Sequence, residues 1–130
     1  MAQLRVLIVD DSPEALTIMS KLFEFAGATV HTCPGGAEAI EAIRTAQKEV
    51  PFDMLCLDIR MPEVDGNKVA AAARAEGYTG PIIAFTAAAS LTGKTESKNS
   101  GIDAYFSKMT LSKDLISALV NEYCSGKSHS

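Results

Sequence analysis

The sequence predicts an α/β fold of three layers, (βα)5, with a five-stranded parallel sheet between two layers of helix. Three observations lead there. Five short apolar runs alternate with amphipathic helical patterns, and such alternation makes right-handed βαβ units and a parallel sheet. Runs one, three and four are apolar on both faces, as strands covered by helices on either side must be. The polar residues with chemistry to offer stand at the C-terminal ends of runs, where open parallel sheets gather their functional groups.

The first run, Leu4-Arg5-Val6-Leu7-Ile8-Val9, ends on Asp10 and Asp11. Ser12-Pro13-Glu14 then starts a helix, with serine as N-cap, proline at the first helical position and an acid in the first turn. Leu16, Met19, Phe23 and Ala26 recur at helical spacing, and Gly27 ends the pattern. The second run, Thr29 to Cys33, alternates in polarity and suits an edge or near-edge strand. Pro34-Gly35-Gly36 is a turn, after which Ala39, Ile40, Ile43 and Ala46 mark the second helix.

The third run, Phe52 to Leu57, ends on Asp58. The sequence Ile59-Arg60-Met61-Pro62-Glu63-Val64-Asp65-Gly66 follows, and its Asp65-Gly66 step reads as a turn. An alanine-rich helix from about Asn67 to Glu76 has strong intrinsic propensity, and Gly77-Tyr78-Thr79-Gly80-Pro81 breaks it. Ile82-Ile83-Ala84-Phe85 closes on Thr86, and Ala104-Tyr105-Phe106-Ser107 closes on Lys108. Leu115, Ile116, Leu119, Val120 and Tyr123 make a last helical face. Residues 1–124 therefore read as one domain, and Ser125 to Ser130 as a flexible C-terminal tail.

At 130 residues the chain is long enough for one real core. Its 47% hydrophobic and 22% charged residues are those of an ordinary globular protein. A net charge of −4 with scattered lysines and arginines argues against a nucleic-acid partner. No apolar stretch approaches the roughly 20 residues of a membrane helix, and Met1-Ala2-Gln3-Leu4 carries no signal-peptide pattern, so a cytoplasmic protein is expected. Cys33, Cys56 and Cys124 form no CxxC pair. His31 and Cys33 share a strand face as two zinc ligands would, but no second pair accompanies them.

Asp10, Asp11, Asp58, Thr86 and Lys108 line one sheet edge if the order is 2-1-3-4-5. Each alone has a plain structural reading: Asp58 or Asp11 as a turn or cap, Thr86 as a β-branched strand residue, Lys108 as a solvated charge. Their joint placement favours a shared purpose. Three carboxylates side by side repel, and a divalent cation with one lysine brings them near neutrality. All-oxygen ligands favour Mg²⁺ over zinc. An aspartate is ionised at neutral pH and attacks phosphorus without a general base. Lys108 and the Thr86 hydroxyl would then stabilise phosphoryl oxygens.

From Leu4 to Tyr123 the chain resembles a response-regulator receiver domain of two-component phosphorelays, which has a flavodoxin-like fold. The motifs that carry the resemblance are Val9-Asp10-Asp11-Ser12, Leu57-Asp58-Ile59-Arg60-Met61-Pro62 with Asp65-Gly66, Phe85-Thr86-Ala87, and Gly101-Ile102-Asp103-Ala104-Tyr105-Phe106-Ser107-Lys108. The resemblance implies that Asp58 accepts a phosphoryl group from a histidine kinase or a histidine phosphotransfer protein. It implies Mg²⁺ held by Asp11, Asp58 and the Arg60 carbonyl, with Asp10 acting largely through water. Thr86 and Tyr105 would be the switch pair and Lys108 the phosphate clamp. The output face would be the helix expected over Ser90–Ser100, the fifth strand and the last helix, offered to a protein target that the sequence does not name.

The sequence departs from that pattern twice. Met109 stands where the family usually has a proline, often after a cis bond; a cis bond before a non-proline residue costs about 2.5–4 kcal/mol, so trans is expected. The segment Ser90–Ser100 carries Gly93 and one large apolar residue, Leu91, so it should be among the least stable parts, with fast amide exchange that slows on activation. Three other readings compete with a switch that is not a turnover enzyme. A Mg²⁺-dependent phosphohydrolase typically places a second acid two residues after its nucleophile, where this chain has Arg60. A nucleotide-binding protein of the same topology would need a glycine-rich phosphate loop after strand one. A pseudo-receiver serving only for docking sits poorly with an intact set of acids, threonine and lysine. The segment could also be a piece of a hybrid histidine kinase.

Overall fold

The computed structural model describes residues 4–61, 64–86 and 101–128. Its elements are β1 (Leu4–Val9), α1 (Pro13–Phe25), β2 (Ala28–Cys33), α2 (Gly36–Lys48), β3 (Met54–Asp58), α3 (Gly66–Ala75), β4 (Ile82–Thr86), β5 (Ala104–Ser107), a 3₁₀ turn (Lys108–Thr110) and the C-terminal helix α4 (Lys113–Ser128). The strands form one parallel sheet in the order β2-β1-β3-β4-β5. The fold is the expected three-layer one, and β2 is an edge strand.

The two-residue period of the strands sorts the core into two layers. Leu7, Val9, Leu55, Leu57, Ile82 and Ala84 face α2 and α3, where Ile43 and Val69 cover them. Val6, Ile8, Met54, Cys56, Ile83 and Phe85 face the other way, under Met19 and Phe23 of α1 and Ile116 and Leu119 of α4. Phe23 is fully buried; truncating such a side chain to alanine costs about 3–5 kcal/mol. Each strand feeds buried side chains to both layers, so its end is held firmly.

Local signals set the helix ends. The Ser12 hydroxyl accepts from the Ala15 N–H at 3.3 Å as the N-cap of α1, and Gly27 follows the helix at φ +95°, a conformation glycine adopts without steric cost. Ser112 caps α4 through Leu115 N–H at 3.1 Å.

Three expectations need correction or remark. α4 runs on to Ser128, past Ser125, where the sequence reading sets the end of the domain. The segment Ser90–Ser100 lies outside the described residues. The peptide bond before Met109 is trans, as is every other among the described residues. None of the described helices is long and apolar enough to cross a membrane.

Candidate functional site

The site grows from the register of the central strands. Val9 of β1 pairs with Leu57 of β3, so the next residues of both strands, Asp10 and Asp58, emerge side by side. Both are buried, at 1% and 5% exposure, while Asp11 is exposed. One carboxylate oxygen from each of Asp10, Asp11 and Asp58 lies within 4.8 Å of the others. Asp10 Oδ1 accepts from the Ser12 N–H at 2.9 Å, which turns the chain into α1. Asp58 Oδ1 accepts from the Arg60 N–H at 3.2 Å. Arg60 thus touches the site through its backbone, and its side chain is exposed.

Lys108 follows β5 directly and reaches past the end of β4. Its Nζ lies 2.6 Å from Asp10 Oδ2 and 3.4 Å from Asp58 Oδ2. It is therefore no solvated strand-end charge: it is the partner of two buried carboxylates. Met109 in place of proline leaves that reach intact. Ser107 holds the following turn, accepting from the Met109 N–H at 3.1 Å through its hydroxyl, and from the Thr110 hydroxyl at 2.7 Å through its carbonyl.

Thr86 ends β4 in register with Ser107 and is buried at 3% exposure. Tyr105 pairs with Ala84 and packs, partly buried, against the core layer under α2 and α3. The structure brings Asp10, Asp11 and Asp58 together and sets Lys108 against Asp10 and Asp58, with Thr86 at the end of the neighbouring strand.

Electrostatics in the cluster follow from burial. The Asp58 carboxyl is pushed up from 3.8 to about 6, first by burial and then by the Asp10 charge, with Lys108 and the Arg60 N–H pulling the other way. Burial opposes the charge on Lys108, but its hydrogen bond and ion pair with Asp10, together with Asp58, hold its ammonium above the usual lysine range. Three carboxylates against one ammonium leave a deficit of two positive charges. A hard divalent ion with oxygen preference fits this donor set.

Asp65 and Gly66 do more than make a turn. Asp65 is the N-cap of α3, its Oδ1 accepting from the Lys68 N–H at 3.0 Å. An aspartate just before a helical pattern is a recognisable cap signal. Gly66 packs so closely on Asp58 that an added Cβ would lie 2.5 Å from the Asp58 carbonyl oxygen. No local signal announces that contact.

Comparison with known proteins matches residues 6–120 to the response regulator receiver domain. The chain belongs to this family. Receiver domains are signalling modules of two-component systems, and accepting a phosphoryl group is the family's function. The chain is 38% identical over 109 residues to the sensor histidine kinase GacS of Pseudomonas protegens, covering 80% of this receiver but 12% of the kinase. It is 33% identical to the 14.6 kDa protein of the sodA1 3′ region of Leptolyngbya boryana, covering 95% of this chain and 92% of that one. Among solved structures, Vibrio cholerae chemotaxis protein CheY4 aligns at TM-score 0.80 with 28% identity, over 94% of this chain and 99% of CheY4. The receiver domain of the Arabidopsis thaliana histidine kinase CKI1, complexed with Mg²⁺ and BeF₃⁻, aligns at 0.78 with 26% identity, over 93% of this chain and 89% of that one.

Proposed function

We propose that this receiver takes a phosphoryl group on Asp58 from the phosphohistidine of a histidine kinase or a histidine phosphotransfer protein, and passes the signal on as a switch. The observation that carries the reading is the convergence of Asp10, Asp11 and Asp58 within 4.8 Å, with Lys108 paired to two of them. An Asp58 carboxylate oxygen attacks phosphorus, the P–N bond to the donor imidazole breaks, and the imidazole leaves with the bonding pair. Above pH of about 6 the Asp58 carboxyl is mostly ionised, so the nucleophile needs no base.

The residues that would hold Mg²⁺ are Asp11, Asp58 and the Arg60 carbonyl, with Asp10 completing the acidic set. Bound there, the ion would offset carboxylate repulsion and would supply Lewis-acid stabilisation of phosphoryl charge. Lys108 stands beside the nucleophile, where its ammonium can transfer from carboxylate to phosphoryl oxygen as the charge builds. Thr86, at the end of β4, offers a hydroxyl to another phosphoryl oxygen. Its movement would leave room for the Tyr105 ring, altering the face that includes β5 and α4 for a protein target. A cytoplasmic setting agrees with a phosphohistidine donor.

The test is incubation with Mg²⁺ and acetyl phosphate, read by intact mass. Wild type should gain one phosphoryl group, labile to base and hydroxylamine, and Asp58→Asn should gain none. Phosphorylation of Asp58→Asn at the wild-type rate would sink the assignment.

A further inference from the structure

The guanidinium of Arg74, near the end of α3, uses every N–H it has. Nε and Nη2 donate to the Gly101 carbonyl at 3.2 and 2.8 Å. Nη1 donates to the carbonyls of Tyr78 and Gly80 at 3.0 and 2.9 Å. Nη2 also donates to Asp103 Oδ2 at 3.1 Å. That is the full donor complement of arginine, and it ties α3 to two separate loops, one leading into β4 and one into β5. Gly101 is fitted to the tie: its φ is +98°, and a Cβ there would meet Arg74 Cγ at 2.8 Å.

Asp103 carries the tie into the sheet. Its N–H donates to the Ile82 carbonyl at 2.8 Å, and its Oδ2 accepts from the Ile82 N–H at 2.8 Å. The entrance of β5 is thereby clasped to the entrance of β4. β5 itself is a four-residue edge strand with a ladder on one side only, to β4, so few backbone bonds hold its position and the clasp at its entrance adds to them. Lys108 follows its last residue. Each strand residue advances about 3.3 Å, so a slip of one residue would carry Lys108 out of ion-pair distance.

We infer that Arg74 is a positioning residue for the phosphoacceptor site: by fixing where the chain enters β5, it sets the aim of Lys108 at Asp10 and Asp58. The inference rests on the phosphoacceptor reading above. It needs arginine in particular, since a planar fork serves three carbonyls and a carboxylate in one geometry and a lysine ammonium does not.

The test is a double-variant cycle on phosphorylation rate, with acetyl phosphate and Mg²⁺ as probes and circular dichroism as the check on folding. Arg74→Ala should react about tenfold more slowly than wild type, a loss typical of a displaced contact to the reacting group. Arg74→Lys should fall between the two. In a Lys108→Ala background, Arg74→Ala should change the rate by less than about twofold, because two changes acting through one contact do not add. A wild-type rate for Arg74→Ala overturns the inference. So does an equal loss in both backgrounds, which would mean that Arg74 serves the fold at large. If Arg74→Ala does not fold, Arg74→Lys takes its place in the cycle, and the same two results overturn the inference. Failure of the wild type itself to gain a phosphoryl group overturns the phosphoacceptor reading first, and this inference with it.

Discussion

Gly66 lies against Asp58 so closely that a methyl group on its Cα would stand 2.5 Å from the Asp58 carbonyl oxygen. The Gly66 N–H meanwhile donates to the Ile59 carbonyl at 3.0 Å. The first residue of α3 is thus seated on the backbone that carries Asp58, the proposed phosphoacceptor.

Gly66→Ala should therefore destabilise the protein. Helix propensity favours alanine by up to about 1 kcal/mol, but overpacking against rigid backbone costs about 1–3 kcal/mol. The clash should prevail, and the displaced Asp58 should take up phosphoryl groups more slowly. Chemical denaturation together with phosphorylation rate checks both parts; unchanged stability would show that the backbone yields freely there.

The raised carboxyl of Asp58 predicts a particular pH dependence. Between 3.8 and about 6 the unfolded chain gives up this proton while the folded chain still holds it. Stability from this group is therefore present at low pH and lost as pH rises through that window. Asp58→Asn escapes the loss. In chelator, the variant and the wild type should be about equally stable near pH 4, and the variant more stable by about 1–3 kcal/mol at pH 7. Urea denaturation at the two pH values reads the difference, and a wild type that is the more stable at pH 7 would contradict the sign.

Removing the Lys108 ammonium leaves Asp10, at 1% exposure, without its ion-pair partner. Lys108→Ala should lose about 3–5 kcal/mol of stability, the usual penalty for orphaning a buried charge. Asp10→Asn in the same chain should restore part of it, and so should Mg²⁺. Melting temperatures of the three chains with and without the ion decide whether the lysine is a structural partner as well as a candidate phosphate clamp.

Asp11 is exposed, so Asp11→Ala should leave stability in chelator within about 0.5 kcal/mol of wild type. Its Mg²⁺ affinity should fall by about tenfold or more, because a weakly held ion with few protein ligands feels the loss of each one. Titration followed by tyrosine fluorescence or NMR measures this, and equal affinities would move the ion elsewhere.

Much of this was legible in the sequence because it depends on local period and on chain ends. Strands apolar on both faces, the Ser12-Pro13 helix start, and acids stranded after Val9 and Leu57 are all short-range patterns. With the rule that parallel sheets present their chemistry at strand C-termini, these patterns predicted the parallel sheet and, given the order 2-1-3-4-5 of the family it resembles, the convergence of Asp10, Asp11 and Asp58. Asp65 was readable in principle as a cap, but the following glycine made it look like a turn. The Ser/Gly-rich composition after Cys124 marks no helix by its own period, and α4 runs on to Ser128 because residues of low propensity still join a helix already nucleated upstream.

By itself, then, the sequence determined the alternation of strands and helices, the faces they bury and the acids at the strand ends, since each follows from residues a few positions apart. Only the tertiary structure decided that Lys108 reaches Asp10 as closely as 2.6 Å, that Gly66 must be small, and that Arg74 clasps Gly101 across 27 positions of chain. Those contacts join segments that no helical or strand period relates. They exist only once packing has brought the backbones to distances where one methyl group or one charge changes the balance.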